Sequence, residues 1–176
     1  FVLAKLIANE LEPSPPASPH VLVRRLYVDL IGLPPTPEQV DEFVRKCKTL
    51  QAKPTSGNDA NRIQQAAVKE LVDELLASPN YGERWARHWL DVSRYGESDG
   101  FERNNPRTNL WPYRDWVIDS LNADMPYDQF VRMQIAGDIL RPGREGSAAV
   151  GFLVAGVHNT VVGSSQRMKR LARQDE

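Results

Sequence analysis

The chain has 176 residues, 41% hydrophobic and 26% charged, with 22 basic against 23 acidic side chains and a net charge of −1. That composition suits a soluble globular chain with a core of useful size. It excludes the basic excess of a general nucleic-acid binder, and no apolar run approaches the length of a membrane span.

Helices are expected throughout. The first covers 1–11, where "FVLAKLIANEL" opens in mid-pattern; the chain closes on "RLARQDE" without a stop signal and so reads as a segment of a larger, multidomain protein. Ser18-Pro19 starts a helix, since the first turn does not need the missing proline N–H, and Gly32 with Pro34-Pro35 ends it at Ile31. Thr36-Pro37-Glu38-Gln39 carries the capping-box spacing and predicts a helix over 37–47. The polar stretch 48–61, with Pro54 and Gly57, reads as a surface loop. Val68, Leu71, Val72, Leu75 and Leu76 then recur at helical spacing with one buried face.

Further helices are expected over 83–95, 113–122, 127–140 and 164–174. "AAVGFLVAGVHNTVVG" fits helix and strand alike, because it combines apolar density with valines and glycines. No alternating strand pair or internal repeat occurs. The fold class is all-α: one helical domain over 1–176, a compact multi-helix array with long polar loops.

The chemistry concentrates in "RHWLDVSRYGESDGFE", residues 87–102. At about 100° per residue, Trp85, Trp89 and Val92 fall together, with Ala86, Leu90 and Ser93 beside them. Arg84, His88, Asp91 and Tyr95 gather opposite, flanked by Arg87 and Arg94. This phase predicts Trp85 and Trp89 in the core with Trp116 and Phe130, and a polar seam outside. The bland reading is a solvated or helix-paired seam in which Asp91 meets arginines one turn away. The sharper reading uses the polar loop 96–112, since long loops in compact domains are often functional. Folded onto the seam, it would bring Glu97, Asp99 or Glu102 to an arginine or to His88. His88, Asp91, Asp99 and Glu102 are then the catalytic candidates, with a carboxylate orienting the imidazole. Arginines such as Arg107 would hold an anionic ligand.

Glu97, Asp99 and Glu102 also offer hard oxygen donors, making calcium an option, although the full spacing of a calcium loop is missing. No other metal is signalled: the only histidines are His20, His88 and His158. Cys47 is the sole cysteine, which excludes an internal disulfide and a Cys-x-x-Cys-His haem attachment. In "PYDQFVRMQIAGDIL", Gln134 and Asp138 fall one turn apart inside an apolar arc. Buried there, they need partners, with Arg114 or Arg94 the candidates for Asp138. The pair reads as a structural polar network.

Four stretches, "RRLYVDLIGLPPTPEQVDEFV", "LVDELLASPNYGERWARHWLDVSRYGESDGFE", "YRDWVIDSLNADMPYDQFVRMQIAGD" and "LARQDE", together resemble the planctomycete-type domain of unknown function 1549 over nearly the whole chain. The resemblance implies an exported multidomain protein, periplasmic, cell-surface or secreted. Its companions would be neighbouring domains of the same polypeptide, including a c-type cytochrome module that holds any haem. Members often occur beside sulfatases and polysaccharide-degrading functions, which implies carbohydrate work. Polar residues falling on the family pattern are Arg87, His88, Asp91, Arg94, Tyr95, Asp99, Glu102, Tyr113, Arg114, Asp115, Asp124, Tyr127, Gln134 and Asp138. Among them Arg87, Arg94, Tyr95, Tyr113 and Arg114, with Arg107, are the ligand-binding candidates. The chain departs from the pattern in the 48–61 insertion and in "TVVGSSQRM", where many members carry an "NEGG"-like acidic turn.

Two functions are therefore in play. One is a helical binding or interaction module, with a glycan or the adjoining domains as partner. The other is part of a carbohydrate-active, hydrolase-type site that uses His88 with loop carboxylates. No nucleophile elbow, phosphate loop or complete metal signature supports the second.

Overall fold

Thr36 and Gln39 close the capping box that their spacing promises. The Gln39 amide N–H donates to Thr36 Oγ1 at 3.3 Å, and the Thr36 N–H donates to Gln39 Oε1 at 2.8 Å. The computed structural model describes residues 1–51, 59–99 and 105–156. Its helices are α1 (Val2–Ala8), α2 (Pro19–Leu30), α3 (Pro37–Gln51), α4 (Asp59–Leu76), α5 (Pro79–Val92), α6 (Trp111–Asn122), α7 (Tyr127–Leu140) and α8 (Arg144–Ala149), followed by a 3₁₀ turn at Val150–Val154. Among the described residues there is no strand, only an isolated bridge between Ser98 and Pro106. The fold is all-α.

Two compact units divide the chain, Phe1–Ser78 and Pro79–Glu176. In the first, Val23 and Tyr27 of α2, Phe43 and Cys47 of α3, and Ala67, Leu71 and Leu75 of α4 form the core. Of the predicted α4 face, Leu71 and Leu75 are buried and Val68 packs against this core, whereas Leu76 is 41% exposed. Burial also pushes the Cys47 thiol above its usual pKa. Gly32, with φ of 73°, takes the left-handed position past the end of α2 that glycine adopts without strain. Both ends of the stretch expected as a loop, 48–51 and 59–61, are helical. α3 runs on to Gln51 and α4 begins at Asp59, and residues 52–58 lie outside the described part. The helix expected over 164–174 lies outside it too.

The second unit's core joins Ala86 of α5, Tyr113, Trp116 and Val117 of α6, Phe130 and Met133 of α7, Ala149 of α8 and Ala155. The ambiguous apolar run resolves, as far as Gly156, into the end of α8 and the 3₁₀ turn. α5 begins at Pro79, where Ser78-Pro79 repeats the start signal of α2, but its rotation differs from the expected one. Gly82 and Ala86 are buried, whereas Trp85 is 40% and Val92 72% exposed. Trp89 keeps the expected contact with the core.

Close backbone approach explains the correction. A Cβ on Gly82 would lie 2.5 Å from the Ile118 carbonyl oxygen of α6. The Gly82 N–H donates to Asn122 Oδ1 at 2.7 Å, and Asn122 Nδ2 donates to the Pro79 carbonyl at 3.1 Å. The small residues set the interface, and the larger ring of Trp85 is turned out of it.

Candidate functional site

The second unit holds the polar residues singled out in the sequence. At its centre, Trp89 Nε1 donates to Gln134 Oε1 at 2.8 Å and lies 3.1 Å from the Tyr113 hydroxyl. That hydroxyl donates to the same Gln134 oxygen at 2.8 Å, and Gln134 Nε2 donates to the Phe130 carbonyl at 3.2 Å. One amide thus serves both ring donors and satisfies its own N–H from the preceding turn of α7. Tyr113 is 1% and Gln134 2% exposed. Burial raises the Tyr113 pKa, against smaller lowering effects of hydrogen bonds from Ser93 and Trp89. Tyr113 therefore ties α5, α6 and α7 together, and its hydroxyl is not offered to a ligand.

Asp138 does not join this network. It is exposed, contrary to the burial and arginine pairing expected of it. The helical phase breaks at Ala136, where φ is −144° and ψ is 32°. Gly137 takes the buried place instead, so close to α8 that a Cβ on it would lie 2.9 Å from the Gly146 carbonyl oxygen. Only an unbroken helix from Gln134 to Asp138 would keep both residues on one face.

The loop after α5 is stapled by its own backbone. The Asp99 N–H donates to the Asn105 carbonyl at 3.0 Å, and the Arg107 N–H donates to the Glu97 carbonyl at 2.7 Å. The Arg107 guanidinium donates to the carbonyls of Val154, Ala155 and Gly156. Its Nε lies 3.8 Å from Asp99 Oδ1. These carbonyls end the 3₁₀ turn, where a helix end carries partial negative charge and unpaired acceptors. Arg107, expected to hold a ligand, is a clamp between two segments of its own chain.

Glu97 is paired with Arg114, which also bonds Asp115 at 3.0 Å. The Tyr95 hydroxyl donates to Glu97 at 3.2 Å. Burial first and the Glu97 charge second push the Tyr95 pKa up to about 12. Tyr95 packs against the core rather than on the outer seam. The acidic contacts raise the Arg114 pKa, with the bond to Asp115 foremost. Both described loop acids thus meet arginines, but those of the loop and of α6. Neither of these two pairs uses an arginine or histidine of the α5 seam. The stapled ribbon holds Asp99 to Arg107, and the bend after α5 delivers Glu97 to α6. Glu102 lies outside the described residues. Glu97 and Asp99, two of the three calcium candidates, each face a guanidinium. Among the described residues no three His, Cys, Asp or Glu side chains are grouped to hold a metal.

His88, Asp91, Arg87 and Arg94 are exposed on or just after α5. His88 packs its ring on Trp85, with centroids 5.3 Å apart, and Trp85 packs on Tyr81 at 6.1 Å. These separations fall within the range of favourable ring pairs. The result is a ladder of Tyr81, Trp85 and His88 on the outward side of α5. Its signal was available in the i, i+4, i+7 spacing, but Trp85 had been assigned to the core. His20 is exposed in the first turn of α2, and His158 lies outside the described residues.

Comparison with known families supplies one match. The model described as "PSCyt2: Protein of unknown function (DUF1549)" covers residues 1–176. No curated protein and no solved structure matches the chain.

Proposed function

Since the chain belongs to the PSCyt2 family (DUF1549), whose description assigns no activity, we propose from its side chains that it is a helical binding module with the outward edge of α5 as its contact surface. One contrast carries this reading. The loop carboxylate Asp99, a candidate for acid–base work with His88, is paired with Arg107, and its neighbour Glu97 with Arg114. The ring ladder of Tyr81, Trp85 and His88 meanwhile faces outward, with Val92 extending it.

The ligand class we assign is a glycan. Flat rings offer apolar faces to the C–H side of a sugar, and the exposed Asp91, one turn from His88, offers an acceptor to its hydroxyls. The module would act within an exported multidomain polypeptide. Its neighbouring domains would be its other partners and would hold any c-type haem.

The test is a binding screen of the chain against neutral and sulfated glycans, with Trp85→Ala and His88→Gln as variants and product analysis alongside. Binding should be lost in Trp85→Ala and weakened in His88→Gln, with helical circular dichroism unchanged and no new sugar ends formed. Binding indifferent to Trp85, or absent for every glycan, would sink the proposal. Bond cleavage dependent on His88 would replace it with the hydrolase reading.

A further inference from the structure

A buried tyrosine hydroxyl ordinarily finds a hydrogen-bond partner. Tyr113 of the second unit does so on Gln134. Tyr27 of α2 is only 5% exposed, and its ring packs in the core of the first unit. Among the described residues its hydroxyl has no such partner. It is not sealed in that core either. Tyr27 lines a cleft of about 30 Å³ together with Gln39, Glu42 and Lys46 of α3, Glu74 of α4, and the apolar Phe43 and Leu71. Burial first, then the charges of Glu74 and Glu42, raise the Tyr27 pKa, against a lowering by Lys46. Those three charged side chains all line the cleft, so the hydroxyl end of the ring faces it.

The cleft offers acceptors and calls for a positively charged donor. Ionised Glu42 and Glu74 only accept, and the Tyr27 hydroxyl can accept as well. Gln39 Oε1 is already taken by the Thr36 N–H. Lys46 does not supply the missing donor, because its Nζ is held by Glu70 at 3.0 Å and Glu42 at 3.5 Å. Three carboxylates, Glu42, Glu70 and Glu74, thus share one lysine. Among the described residues no three His, Cys, Asp or Glu side chains are grouped to hold a metal. Size narrows the choice further. One water needs at least ~10–15 Å³ of such space, so a cleft of about 30 Å³ admits a single small head group. A planar guanidinium is too broad, whereas an ammonium is compact and carries three donors.

We propose that this cleft binds a primary alkylammonium group, its nitrogen donating to Tyr27 Oη, Glu42 and Glu74 and its first carbons lying against Phe43 and Leu71. Three donors then meet three acceptors, and the surplus of negative charge is reduced. The site belongs to the first unit and is independent of the glycan reading, which concerns the second.

Titration of the full chain with n-propylammonium chloride, followed through the aromatic proton resonances, tests this. The Tyr27 and Phe43 signals should shift and saturate. Tetramethylammonium carries the same charge but no N–H donor, and should leave them in place. Tyr27→Phe keeps the ring and removes the hydroxyl, and Glu74→Gln removes one carboxylate from an exposed position. Each should weaken binding about tenfold or more, as losing a hydrogen bond to a charged group does. Because Glu74 is exposed, its variant decides the matter even if Tyr27→Phe fails to fold. An N-terminally blocked peptide with one lysine, set against the same peptide acetylated at that lysine, separates the sources. Tighter binding of the unmodified peptide than of propylammonium assigns the site to a lysine of a protein partner, and equal binding assigns it to a free amine. No saturable shift at Tyr27, an equal shift with tetramethylammonium, or binding unchanged in Glu74→Gln would overturn the proposal.

Discussion

Trp89 Nε1 donates to Gln134 Oε1 at 2.8 Å, joining α5 to α7 through the middle of the second unit. The same oxygen accepts from Tyr113, so removing this amide strands the buried Tyr113 hydroxyl donor and leaves Trp89 Nε1 only its longer contact with that hydroxyl. Gln134→Leu should therefore destabilise this unit by about 1–3 kcal/mol, from the unsatisfied buried donor. Asp138→Ala, one turn on and exposed, should change stability by less than about 0.5 kcal/mol. Urea unfolding followed by tryptophan fluorescence measures both, and equal losses would contradict the kink at Ala136.

Gly82 sits where α5 packs against the backbone of α6. Alanine is normally the better helix former by about 1 kcal/mol. Here its Cβ would meet the Ile118 carbonyl, so Gly82→Ala should instead cost about 1–3 kcal/mol. Trp89→Ala should cost about 3–5 kcal/mol, while Trp85→Ala should cost much less. Thermal melts of the three variants check the rotation of α5. A Trp85→Ala loss as large as that of Trp89→Ala would return Trp85 to the core.

Three helices end on a residue other than glycine in the left-handed region, Glu10 with φ of 55° after α1, Arg94 with φ of 55° after α5 and Asp124 with φ of 47° after α6. Such positions strain any residue with a Cβ. Arg94→Gly and Asp124→Gly should each stabilise by about 0.5–1 kcal/mol, once the freer unfolded chain is counted. Chemical denaturation midpoints would show this as an upward shift.

Tyr95 holds its proton more tightly when folded, with its pKa pushed up from 10.0 to about 12. A folded-state pKa above the unfolded value gives stability that is fully present below pH ~10 and is lost as pH rises through the folded value. The melting temperature should fall between pH 10 and 12, and Tyr95→Phe should flatten that fall. Phenolate absorbance should show one late-titrating tyrosine fewer in the variant. A fall of the same slope in both proteins would remove Tyr95 as its cause.

Local rules were legible in the sequence alone. The capping box at Thr36–Gln39, the stop at Gly32 and the buried stripe of α4 each depend on residues within a turn or two of one another. So the helical class and most helix positions followed from spacing and backbone chemistry. What spacing could not decide was which face of a helix lies inward, and where an ion finds its partner. Trp85 lost its place in the core because Gly82 lets two backbones come together, which depends on α6, more than thirty residues away. Asp138 left the core because α8 presses on Gly137 and the helix breaks beside it. Glu97 and Asp99 chose Arg114 and Arg107 over the seam beside them in sequence, because the loop's own hydrogen bonds carry the acids away from α5. Periodicity assumes a continuous helix in a uniform environment. Packing between distant segments removes that uniformity, and only the tertiary structure records how.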